Sequence, residues 1–134
     1  MLSSELWSDC TSFHGHACPG IALGFKAVEA AADLFCLEVR PGMAVDGLTC
    51  VSTTAKCPVD AVRCLLGCTE KLGTLEVRPA DAIAFEFTLA TVDGAPKTVC
   101  LALKPGATDG RSREEAQAHI LAAPYAELYE VTVA

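Results

Sequence analysis

The chain has 134 residues, 51% hydrophobic and 20% charged, so it is long and apolar enough to bury a core and is not a disordered segment. Its net charge of −7, with no Lys/Arg cluster, weighs against nucleic acid and anionic membrane surfaces, which need concentrated positive charge. The most apolar window, residues 19–39, is broken by Lys26, Glu29, Asp33 and Glu38, so no stretch reads as a bilayer span.

Residues 1–7 lack the basic and apolar parts of a signal peptide, so the expected home is cytoplasmic. Eight cysteines in such a chain read as metal ligands, reactive thiols or small core residues rather than a disulfide framework. Cys36, Cys50 and Cys100 lie in apolar patterns and read as core; Cys64 reads the same way on a helix face. Cys10 fits either role.

Residues 4–10 suit a short helix capped by Ser3 or Ser4, followed by an irregular or extended segment over residues 11–18. Ile21, Phe25, Val28, Ala32 and Phe35 recur at helical spacing and predict an amphipathic helix over residues 19–37. Gly20 and Gly24 weaken that helix unless close packing requires a bare backbone there. Arg40-Pro41-Gly42 ends the element. Residues 46–53 read as a strand and 58–66 as a helix stopped by Gly67. The second half is strand-rich: residues 74–77, 82–90 and 97–103, with Asp93-Gly94 as a hairpin signal. Ser112-Arg113-Glu114-Glu115 opens a helix running to about residue 122. Residues 125–133 fit a helical turn or a last strand. Early helices, then strands, then a late helix predict one α+β domain over residues 1–134, with an antiparallel sheet packed against helices.

Two Cys-Pro steps carry the chemistry. Cys18-Pro19 and Cys57-Pro58 each resemble a helix start, because proline is favoured at the first helical position. Both cysteines then read as N-caps, where unpaired N–H groups and the helix dipole favour thiolate. His14, His16 and Cys18 are two apart, so an extended segment would point all three at one ion. With Cys57 they form a candidate set for zinc, with iron or nickel as alternatives. His14 has a second candidate role, orienting a ligand rather than binding the ion. Asp60 follows Cys57 by three residues and can share its site; Cys68 and Thr69 lie at the far end of that helix as further candidates. A thiol before proline also has a plain reading, as a helix-starting device alone.

These residues resemble the FmdE family, named for formylmethanofuran dehydrogenase. The first block is Phe13-His14-Gly15-His16-Ala17-Cys18-Pro19-Gly20, then Gly24-Phe25-Lys26, with Lys26 where the family usually has Arg. The second is Cys57-Pro58-Val59-Asp60-Ala61-Val62-Arg63, then Gly67-Cys68-Thr69. Here Lys71-Leu72-Gly73-Thr74-Leu75 replaces the family's usual Gly-Lys-Gly-Asn-Leu, and the sequence lacks the cysteine-rich zinc finger that many members carry. The resemblance implies an α+β domain, a homodimer, a metal near His16, Cys18 and Cys57, and an association with molybdenum or tungsten redox enzymes. The leading functional expectation is therefore a metal-binding accessory protein. The alternative is a small metalloenzyme with an open coordination position, in which Asp60 or His14 moves protons. A purely structural zinc is the third reading.

Overall fold

The computed structural model describes residues 2–92, 94–106 and 110–134. Five helices and five strands follow in the order α1 (Ser4–His14), α2 (Pro19–Phe35), β1 (Leu48–Ser52), α3 (Cys57–Leu66), β2 (Leu75–Val77), β3 (Ala84–Leu89), β4 (Lys97–Leu103), α4 (Arg113–Ala122), α5 (Tyr125–Leu128) and β5 (Tyr129–Val133). The strands form one sheet in the order β2-β1-β3-β4-β5. All neighbours are antiparallel except β2, which runs parallel to β1. The fold is the expected α+β arrangement.

Alternation along the strands decides which face meets the helices. Leu48 and Cys50 on β1, Phe85 and Phe87 on β3, and Val99 and Leu101 on β4 are buried. Helix α2 is buried continuously from Ile21 to Ala32, so it is the central element of the helical layer. Trp7 of α1 meets Phe25 of α2 edge to face, at 5.2 Å between centroids. The buried Tyr129 donates its hydroxyl proton to the Leu23 carbonyl at 2.7 Å, tying the start of β5 to α2. Lys26 is 1% exposed, and its Nζ lies 2.9 Å from Glu29 Oε2. Neither atom is aligned for a hydrogen bond, so this buried pair is held by charge alone.

Helices α2 and α3 pack with their backbones close together. A Cβ at Gly20 would lie 2.7 Å from Cys57 Cβ, and one at Gly24 would lie 2.0 Å from the Pro58 carbonyl oxygen. Close packing is thus the reason a helix tolerates both glycines.

Several local expectations change. Helix α1 continues to His14, where residues 11–18 read as irregular; Gly15, at φ 101°, closes it and donates its N–H to the Thr11 carbonyl at 2.8 Å. Residues 125–133 hold both a short helix and a strand. Cys36 is exposed rather than core: α2 ends at Phe35, and Cys36 is its left-handed cap at φ 55°. Cys100 is only half-buried, because it points to the sheet face opposite Val99 and Leu101. Asp93 of the expected hairpin turn lies outside the described residues, but β3 and β4 pair antiparallel as that turn implies.

Candidate metal centre

Three chain segments converge at the starts of α2 and α3. Cys18 is the N-cap of α2: its backbone is extended, and its Sγ accepts the Ile21 N–H at 3.5 Å. Cys57 sits one position further in than expected, as the first residue of α3. Lys56 takes the cap because its backbone is extended and its N–H is held by Thr54 Oγ1 at 3.1 Å. His14 arrives from the last turn of α1, not from an extended run with His16 and Cys18. One donor atom from each of His14, Cys18 and Cys57 lies within 4.8 Å of the others. His14 Nε2 is 3.8 Å from Cys18 Sγ.

His16 is not in this cluster. It is exposed, its Nδ1 lies 3.4 Å from the Ala17 carbonyl oxygen, and its ring lies 4.6 Å from that of His14. Its place beyond the end of α1 explains this: the helix turns His14 inward and breaks the two-residue alternation after it.

Asp60 orients His14. His14 Nδ1 is 2.7 Å from Asp60 Oδ2, and a carboxylate only accepts, so Nδ1 carries the proton. A neutral ring then presents the Nε2 lone pair toward Cys18, the usual arrangement behind a metal-binding imidazole. Arg63 donates from Nη1 to Asp60 Oδ1 at 2.8 Å and grips Glu70 through Nε at 3.2 Å and Nη2 at 2.7 Å. The Arg63 hydrogen bond holds the Glu70 carboxyl below its usual range. Arg63 and Glu70 are supports that sequence reasoning did not single out. The Asp60–Arg63 spacing of three on one helix was a usable signal; Glu70, beyond the helix end, offered none.

The remaining cysteines separate cleanly. Burial pushes the thiols of Cys10 to about 12 and Cys68 to about 11, and raises Cys50 and Cys64 as well. Cys68 Sγ lies 3.9 Å from the Leu48 carbonyl oxygen, inside the core and away from the cluster. Thr69 organises the following turn: its N–H bonds Thr74 Oγ1 at 3.0 Å, and its Oγ1 accepts the Leu72 N–H at 3.2 Å. Cys57 is half-exposed, yet its thiol is also raised, by burial first and then by its hydrogen bond with Cys18. The helix-start argument predicts the opposite, and at Cys57 the neighbouring thiol and burial win. Two thiols held against each other and an oriented imidazole fit a borderline-soft cation.

A pocket of about 560 Å³ opens beside Cys57, between residues 53–58, which lead into α3, and the loop over residues 79–83, with Gly20 in its wall.

Residues 13–130 match the family model described as FmdE, Molybdenum formylmethanofuran dehydrogenase operon. The chain belongs to the FmdE family. The match begins at Phe13, the first residue of the His14–Cys18 block, and so takes in every donor of the centre. The fold is also that of a tungsten formylmethanofuran dehydrogenase FmdE-like protein from Syntrophus aciditrophicus, known from its crystal structure, with a TM-score of 0.70. Identity to that protein is 21%, over 97% of this chain and 70% of the other. No curated protein matches the chain. As an FmdE-family domain, it places its second sequence block, Cys57 to Arg63, on α3 and the first across the α1–α2 junction.

Asp60→Asn is expected to lower metal affinity about 10–100-fold without unfolding the domain, because an amide no longer fixes the imidazole tautomer as the carboxylate does. Competition with a chromogenic chelator reads the affinity. Unchanged affinity would separate Asp60 from the centre.

Proposed function

We propose that this FmdE-family chain holds one transition-metal ion through His14 Nε2, Cys18 Sγ and Cys57 Sγ, and serves as a metal-binding accessory to a molybdenum or tungsten redox enzyme. The convergence of those three donors from three segments carries the reading. Zinc suits the donor set best; iron and nickel also accept it. The family's description supplies the molybdenum association. Eight free thiols in the described residues suit a reducing, cytoplasmic setting. The edge position of β5, with Val133 61% exposed, supports a homodimer built on that edge. Among the described residues no helix is long and apolar enough to cross a membrane.

The test is transfer. Protein loaded with one ion is mixed with metal- or cofactor-depleted formylmethanofuran dehydrogenase, and recovery of the enzyme is followed against free metal at equal concentration. Faster recovery from the loaded protein supports the accessory role; none, with the loaded protein intact, rejects it. The pocket beside Cys57 favours a second reading, a small metalloenzyme, because three protein donors are one fewer than in a closed zinc site.

Metal affinity should climb with pH. Binding takes thiolate, and the raised Cys57 pKa keeps that thiol protonated at neutral pH, so each thiol proton displaced adds about tenfold in affinity per pH unit. The rise should continue past the ordinary thiol range, because the shift is upward. Affinity measured from pH 6 to 9 checks this; a flat profile contradicts thiol ligation.

A further inference from the structure

We propose that Cys18 and Cys57 form a reversible disulfide in the metal-free protein, a redox switch that closes the centre to its ion. The bond itself needs no metal; its effect on the ion rests on the three-donor reading above.

Two sulfurs from two helix starts meet here. The Sγ atoms lie within 4.8 Å of each other, and the two thiols share a hydrogen bond. A disulfide asks them to close to ~2.05 Å. Gly20 leaves room for the Cys57 side chain: a Cβ there would lie 2.7 Å from Cys57 Cβ and 3.5 Å from its Sγ. Cys18 stands on extended backbone before α2, and Cys57 is the first residue of α3. Neither side chain has a preceding helical turn to restrict its rotation toward the other.

Exposure sets the order of attack. Cys57 is half-exposed, whereas Cys18 is buried. An outside low-molecular-weight disulfide such as oxidised glutathione therefore meets Cys57 first. The Cys57 sulfur attacks it, forming a mixed disulfide and releasing one reduced glutathione. The Cys18 sulfur then attacks Cys57 Sγ, forming the Cys18–Cys57 bond and releasing the second. Two electrons pass from the protein to the glutathione disulfide, and the two thiol protons leave with the two glutathione thiols. Two other thiol pairs lie near each other, Cys10 with Cys64 and Cys50 with Cys68, but all four are buried away from such an oxidant. The bond uses both sulfurs that would hold the ion, so closure and metal binding exclude each other.

The metal-free full chain is incubated with oxidised glutathione to completion at pH 8, its free thiols are alkylated, and its cysteines are mapped by peptide mass spectrometry. Wild type should show Cys18 joined to Cys57. In Cys18→Ser the second step is lost, so Cys57 should hold glutathione instead. Joined protein should lose stoichiometric zinc binding and recover it after dithiothreitol. A Cys57 that keeps glutathione in wild type as in Cys18→Ser, a Cys57 that stays a free thiol, or pairing of Cys57 with any other cysteine would overturn the proposal. Zinc-loaded chain given the same treatment should keep both thiols free. Closure with zinc still bound would uphold the bond and overturn the three-donor reading, so the two fail separately.

Discussion

Cys57→Ser is expected to leave a folded domain that has lost its metal. The residue is half-exposed and is the first of α3, where a serine fits the helix as well as a cysteine does. What it removes is one of the three proposed donors. Apparent binding energies of structural zinc are roughly 10–16 kcal/mol, so an even share per donor is ~3 kcal/mol or more, a loss of at least about a hundredfold in affinity. A serine hydroxyl stays protonated at neutral pH and does not replace a thiolate. Cys18→Ser separates capping from ligation more sharply. Serine is among the best N-caps, so it keeps the bond to Ile21 N–H while discarding the sulfur. If Cys18 and Cys57 only start helices, both serine variants should match wild type in thermal midpoint and metal content. If they are ligands, the midpoint of the metal-free protein is kept and stoichiometric metal is lost.

Gly24→Ala should destabilise the domain and weaken the metal centre together. On helix propensity alone alanine would gain about 1 kcal/mol over glycine. Here its Cβ would sit 2.0 Å from the Pro58 oxygen, 2.7 Å from the carbonyl carbon and 2.8 Å from Cα. All three are backbone atoms of α3, so relief requires moving the helix, not a side chain. Overpacking costs about 1–3 kcal/mol, and a clash with helix backbone belongs at the upper end, so it outweighs the propensity gain. The expected fall in Tm is roughly 10 °C for a chain of this size. The same interface holds Cys57 against the start of α2: a Cβ at Gly20 would lie only 2.7 Å from Cys57 Cβ. Metal affinity should therefore drop even at temperatures where the variant is fully folded. An unchanged Tm and affinity would mean that α2 and α3 do not approach this closely.

Much of this was legible locally. The apolar spacing from Ile21 to Phe35 marked α2, and β4 occupies the expected residues 97–103. Ser112 caps α4 through the Glu115 N–H, as its sequence pattern implies. These features depend on neighbours in sequence. The misread features depend on distant partners or on one backbone angle. Strand β2 lies within the expected residues 74–77, but its parallel pairing with β1 departs from the antiparallel sheet expected, because that pairing is set by a distant partner. Cys36 leaves the core because α2 turns left-handed at that residue. At the centre, the residue types and the two helix starts were readable, and so was the candidacy of His14 and Asp60. The contact between His14 and Asp60, 46 residues apart, was not, and it is what distinguishes His14 from His16. Reading residues 11–18 as extended gave both histidines the same face; the helical turn at His14 gives them different surroundings.

The most direct test is X-ray absorption at the zinc edge of the loaded protein, compared with its His14→Ala and His16→Ala variants. Ligation by His14, Cys18 and Cys57 predicts two sulfur scatterers at ~2.3 Å and one imidazole, with the imidazole signal lost in His14→Ala and kept in His16→Ala. Four sulfurs, no sulfur, or an imidazole signal that disappears with His16 instead would contradict it.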